Sequence, residues 1–171
     1  MKRFYAGIGS RETPIEYLQL FTRVATYLEG NNFMLRSGGA KGADQAFEAG
    51  VTDNNYEIYL PWPKFEDKNG IVVENPKAFE IAAKFHPAWD KLSQGAQKLH
   101  ARNCHQVLGK DLKTLSSFII CYTSKGNGSG GTGQALRIAK AYNVPIFDCG
   151  LHSNILECRK ELNKFIASFL V

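Results

Sequence analysis

The chain has no Cys-x-x-Cys pair, no extended block of Lys and Arg, and no apolar run near the ~20 residues that a membrane span needs. Each absence closes a class. Without paired thiols, Cys104, Cys121, Cys149 and Cys158 read as free thiols of a reducing compartment, with Cys121 and Cys149 as small apolar fillers near strand ends. His100 and His105 flank Cys104, but their spacing fits no zinc pattern, so no metal and no cofactor are expected. No signal peptide is visible, because Met1-Lys2-Arg3 runs directly into a strand. The expectation is therefore a cytoplasmic chain with no membrane partner. Without a basic block, the net charge of +5 and the pI of 9.0 permit a polyanionic partner but do not demand one. No repeat or linker divides the 171 residues, so residues 1–171 are expected to form one domain, long enough to bury roughly 70% of the unfolded surface.

What is present is an alternation of apolar runs and helical spacing. Arg3 to Ile8, Phe33 to Arg36, Tyr56 to Leu60, Leu115 to Tyr122 and Val144 to Asp148 read as five strands. Thr13 is expected to cap a first helix with Pro14 at its first position and Glu16 in its first turn, and Gly30-Asn31-Asn32 to end it. Ala43 to Val51, Pro76 to Phe85, Leu92 to Leu112, Ala135 to Ala141 and a segment capped by Asn154 read as further helices. Strands alternating with helices argue for parallel pairing through right-handed crossovers. The expected fold is α/β: a Rossmann-like three-layer sandwich, mostly parallel, of about five strands in the order 3-2-1-4-5, with helices on both faces. Residues at about 64–90 break the rhythm and read as an insertion that lines a ligand site.

Glycine is concentrated after three of the strands. Gly7-Ile8-Gly9-Ser10-Arg11 follows the first, Ser37-Gly38-Gly39-Ala40-Lys41-Gly42-Ala43-Asp44 the second, and Gly126 to Gly133 the fourth. In the order 3-2-1-4-5 these loops meet where the winding reverses, the place where open α/β sheets bind ligands. Gly7 and Gly9 are expected to turn the chain tightly, and Ser10 and Arg11 to offer a hydroxyl and a guanidinium to phosphate. Gly38, Gly39 and Lys41 line the second loop with Ser37. Ser129, Gly130, Gly131 and Thr132 present donors at a helix start. Asp44 either accepts from a ribose hydroxyl or caps its own helix. A GxGxxG dinucleotide fingerprint and a GxxxxGK[ST] P-loop are both set aside. Tyr5, Tyr59, Trp62 and Phe65 are candidates to stack on bases, with core packing favoured for Tyr5 and Tyr59.

At these residues the sequence resembles the SLOG superfamily of Rossmann-like nucleotide-binding domains. Tyr5 to Arg11 and Ser37 to Asp44 resemble the opening strand and the Ser-Gly-x-Ala-x-Gly-x-Asp motif of DprA/Smf DNA-processing proteins. Arg102-Asn103 and Gly128 to Thr132 follow in the same order. That resemblance implies a binder of single-stranded DNA, commonly dimeric, with the apolar helices around Leu18 to Leu28 and Leu92 to Leu108 as candidate faces. The LOG phosphoribohydrolases are similar in another way. His100-Ala101-Arg102-Asn103 keeps the His and Arg of their helix motif, which makes Arg102 the one candidate catalytic residue. Their later acidic positions carry Gln134 and Ala135, which cannot support an oxocarbenium-like centre. The expectation is a non-catalytic site for a nucleotide, a nucleotide-derived small molecule or single-stranded DNA. Its ligand-binding residues would be Gly9, Ser10, Arg11, Ser37, Gly38, Gly39, Lys41, Asp44, Arg102, Asn103, Ser129, Gly130, Gly131 and Thr132. The alternative is a nucleoside-monophosphate N-glycosidase of LOG type with an altered site.

Overall fold

The computed structural model describes residues 1–52 and 54–170. Six strands form one all-parallel sheet: β1 (Arg3–Gly9), β2 (Phe33–Ser37), β3 (Tyr56–Leu60), β4 (Ile71–Val72), β5 (Ile119–Tyr122) and β6 (Ile146–Asp148). Their order is β4-β3-β2-β1-β5-β6. The expected five-strand order is present within it, and the sixth strand, β4, comes from the 64–90 segment. Two residues carry no periodicity, so nothing in the sequence marks β4.

Six helices cover the sheet. α1 (Ile15–Gly30), α2 (Ala43–Glu48) and α6 (Ile155–Ala167) pack on one face, around Tyr5, Phe21, Phe47, Phe118 and Leu162. α3 (Pro76–Phe85), α4 (Gln94–Leu108) and α5 (Gly130–Ala141) pack on the other, around Ala6, Ile8, Ile119, Cys121 and Val107. Adjacent strand residues therefore serve opposite cores, which is why the strands read as unbroken apolar runs rather than as alternating ones. Tyr5 and Tyr59 are fully buried, and Phe65 is 5% exposed. Of the four candidate stacking residues only Trp62 reaches solvent, and it meets Phe65 edge-on at 5.3 Å.

Several local expectations are corrected. Thr13 does not cap α1: its hydroxyl donates to the Ser10 carbonyl at 2.6 Å, and Pro14 occupies the cap position without a side-chain bond. α4 begins two residues later than expected, capped by Ser93 Oγ accepting from the Ala96 amide at 3.2 Å, and ends at Leu108, capped by Gly109, instead of at Leu112. Gly7 lies inside β1 and turns nothing. A Cβ there would stand 2.5 Å from the Phe47 ring, so its smallness lets α2 seat against the sheet. Leu28 of α1 and Leu108 of α4 are fully buried in the cores, while Ile15 and Tyr27 of α1, with Leu151 and Leu156 near the C-terminal helix, keep apolar surface exposed. Among the described residues no helix is long and apolar enough to cross a membrane.

Candidate functional site

β1 pairs with β2 on one side and β5 on the other, so the chain leaves these neighbouring strands at the same end of the sheet. The Ser10 amide donates to the Tyr122 carbonyl at 3.0 Å, which ties the first loop to the end of β5. Gly42, at φ +86°, brings the second loop against the first: a Cβ there would lie 2.7 Å from the Arg11 backbone. The winding reverses between β1 and β5, and a cavity of about 480 Å³ opens there. That volume is in the range of small-molecule sites.

The first loop contributes Gly9, Ser10, Arg11 and Glu12 to the cavity wall. From the second loop and α2 come only Ala40 and Asp44. The turn after β5 gives Thr123 and Ser124, and the start of α5 gives Ser129 to Thr132. The remaining wall is one face of α4, including Leu99, His100, Arg102, Asn103 and Gln106 at helical spacing. Ten of the fourteen sequence-predicted residues thus line one cavity. Ser37, Gly38, Gly39 and Lys41 do not. The insertion contributes nothing to the wall, against expectation. It extends the sheet, packs α3 on α4, and places the Phe65 ring 5.6 Å from the Arg102 guanidinium.

The second loop is occupied from within. Glu48 Oε1 accepts from Ser37 Oγ at 2.6 Å and from the Gly39 amide at 3.0 Å. Asp44 Oδ2 accepts from the Gly38 and Ala40 amides at 3.2 and 3.4 Å. One helical turn separates these acids, so α2 presents both to the loop it follows. Lys68 Nζ stands 3.1 Å from Glu48 Oε2 as an ion pair without hydrogen-bond alignment. Lys41 points outward, 3.8 Å from Glu66. Asp44 therefore organises its own loop and also reaches the cavity. Burial pushes its carboxyl up to about 7, opposed by the Arg102 guanidinium and reinforced by Glu48.

Arg102 is 7% exposed. Its Nη1 donates to the Gly38 carbonyl at 2.5 Å and its Nε to Asn103 Oδ1 at 3.0 Å. Burial lowers its pKa, and Asp44 pulls the other way. Asn103 Nδ2 donates onward to the Gly131 carbonyl at 3.0 Å, so α4 fixes both the second loop and the start of α5.

The α5 start is open where the second loop is closed. The amides of Gly130, Gly131 and Thr132 have no acceptor among the described residues, as first-turn amides of a helix lack intrahelical partners. Ser129 occupies the cap position without using its hydroxyl as a cap. The turn leading there hangs from Asp148 at the end of β6. That carboxylate accepts from the Thr123 amide at 2.9 Å, the Thr123 hydroxyl and the Gly150 amide at 2.9 Å, and Thr123 Oγ1 accepts from the Gly128 amide at 3.1 Å. Gly126, Gly128 and Gly131 do stand at GxGxxG spacing, contrary to the reading above. They follow β5 instead of β1, and Gly126 is spent in packing: a Cβ there would lie 2.3 Å from Leu151.

Gln134 does not face the cavity. It is fully buried, donates to the Ala82 carbonyl at 3.3 Å and joins α5 to α3, while Ala135 lines the wall. His100, Cys104 and His105 diverge: His100 lines the cavity, Cys104 Sγ contacts the Ala78 carbonyl, and His105 stacks on Tyr59 at 5.2 Å. Among the described residues no group of three or more His, Cys, Asp or Glu is placed to hold a metal. Sequence reasoning missed Thr123, Leu99 and Gln106. The α4 pair was recoverable from the helical period that passes through Asn103.

No protein-family model matches the chain, and no curated protein matches it. A solved structure similar to it is that of DNA processing protein A from Helicobacter pylori, described for its unique mode of binding single-stranded DNA. The likeness has a TM-score of 0.56 at 23% identity and covers 85% of this chain and 64% of that one. The chain thus spans less than two thirds of its neighbour's length, and what the two are shown to share is the fold.

Proposed function

We propose that this chain binds a nucleotide or single-stranded DNA through phosphate, without turning it over. The observation that carries the reading is the convergence of three free backbone amides at the α5 start with Arg11 and Arg102 in one cavity. Amides at a helix start and guanidinium groups are complementary to phosphate, and a helix dipole adds to the attraction. The fold likeness to a protein described as binding single-stranded DNA is consistent with that ligand. The absence of turnover is supported by Gln134, which is packed away from the cavity, and by Ala135, which carries no acid to it.

Titration of a labelled thymidine oligonucleotide, and of nucleoside monophosphates by calorimetry, tests the reading. Affinity should fall as salt rises. Arg102→Ala should lower it by about ten- to a hundredfold, as loss of a charge-assisted hydrogen bond does. No binding of either ligand at low salt would refute it. One observation favours the N-glycosidase alternative: Asp44, a carboxylate held near neutrality, lines the same cavity as Arg102. Chromatographic detection of free base from a monophosphate, abolished by Arg102→Ala, would move the assignment to that enzyme. A self-associating form belongs to the same proposal, and light scattering measures it.

A further inference from the structure

The cavity floor holds three polar groups that the fold leaves unpartnered. Asp44 uses Oδ2 for two backbone amides, and Oδ1 accepts nothing among the described residues. Arg102 uses Nε and Nη1, and Nη2 donates to nothing. The side chain of Gln106, a residue only 2% exposed and one helical turn beyond Arg102, makes no hydrogen bond among the described residues. None of these atoms belongs to the sealed orphans, which are Tyr5 Oη, Glu48 Oε2 and His100 Nδ1. Asp44, Arg102 and Gln106 all line the same cavity, with Gln106 Nε2 packed beside Gly38. Asp44 and Arg102 do not close on each other either, since no carboxylate–guanidinium approach within 4.0 Å joins them.

A buried carboxylate oxygen and a buried guanidinium N–H held apart are costly unless something fills the gap. The filler must donate to Asp44 and accept from Arg102. At neutral pH a phosphate offers mainly acceptors, and it already has a seat at the α5 start. The lining is apolar at Ile8, Ala96, Leu99 and Ala135. A flat ring with a polar edge suits such a mixed lining. Among the four DNA bases, guanine alone places two adjacent donors, the ring N1–H and the 2-amino group, beside an acceptor, O6.

Building on the proposed nucleotide site, we infer that Asp44, Arg102 and Gln106 read the edge of one nucleobase and select guanine. Asp44 Oδ1 accepts from the N1–H and 2-amino edge. Arg102 Nη2 donates to O6, and the Gln106 amide takes the remaining edge position. The phosphate of the same nucleotide lies toward Gly130 to Thr132. These three side chains determine specificity, while the amides and Arg11 provide sequence-independent affinity.

The test is calorimetry at pH 8, where Asp44 is ionised, with the 2′-deoxy 5′-monophosphates of guanine, hypoxanthine, adenine, cytosine and thymine. Guanine should bind about ten- to a hundredfold more tightly than adenine, cytosine or thymine, the usual discrimination of a bidentate base contact. Hypoxanthine lacks only the 2-amino group and should lose about tenfold. Asp44→Asn should narrow the ratio between guanine and the other bases, whatever it does to their common affinity. Equal affinity for all five, or a guanine preference that survives Asp44→Asn, overturns this inference alone. If none of the five binds, the nucleotide site falls with it. The hypoxanthine comparison needs no substitution, so it decides the matter even if the variant folds poorly.

Discussion

The loop after β2 and the helix start after β5 are both dense in glycine, both follow a buried strand, and both border the same crevice. Their donors have opposite fates. The Gly38, Gly39 and Ala40 amides are taken by Asp44 and Glu48 from the helix that follows. The Gly130, Gly131 and Thr132 amides meet no acidic side chain, because the first turn of α5 contains none. Glycine density alone therefore does not mark an anion cradle. What distinguishes the two is whether the next helix carries a carboxylate within reach of the loop. The loop after β2 is a structural joint that happens to hold glycines, and the α5 start is a set of unpaired donors.

The strongest way to break this contrast is Glu48→Ala. It strands the buried Ser37 hydroxyl and Gly39 amide and removes the partner of Lys68. Stability should fall by about 3 kcal/mol in urea unfolding. A loss under about 0.5 kcal/mol would mean that the second loop is not held from within. Asp44→Asn has a comparable effect, but one that depends on pH. The folded carboxyl titrates at about 7 against an ordinary 3.8, so the folded state keeps a proton that the unfolded chain releases. The parent's stability therefore declines as pH rises from about 4 to about 7. The variant lacks that decline, and its stability relative to the parent should rise by on the order of 3 kcal/mol between pH 4 and pH 8. Parallel pH profiles for the two proteins would contradict the buried, ionisable Asp44.

On the other side of the comparison the effect should fall on binding and not on folding. Gly131→Pro removes one free amide in the first turn of α5, where proline is tolerated, and a Cβ there meets nothing within 4 Å. Affinity for oligonucleotide should drop about tenfold while stability changes by less than about 1 kcal/mol. The reverse result, unchanged affinity with a destabilised fold, would make the two glycine loops alike after all.

The sheet was legible because its strands are apolar runs between turn residues, and because parallel order follows from alternation with helices. β4 was not, since Ile71 and Val72 join β3 through tertiary placement that no local pattern encodes. The cavity was legible in outline, as glycines after strands point to one end of the sheet. The closed state of the second loop was hidden for a physical reason. Asp44 and Glu48 sit four residues apart on a helix, a pattern that ordinarily faces water, and only packing shows that it faces inward. Gln134 misled in the opposite direction. Its position suggested a cavity residue, yet the rotation of α5 carries it toward α3 and leaves Ala135 at the wall.

The attachment of Thr123 and Gly128 to Asp148 bears on how fast a ligand is captured. A free glycine-rich segment would have to be ordered on association, at about 1–2 kcal/mol per residue fixed. Here a carboxylate at the end of a core strand holds the lead-in to α5 before any ligand arrives. Encounter, not rearrangement, then sets the rate. Stopped-flow association should be a single exponential whose rate constant rises linearly with ligand concentration and falls with ionic strength.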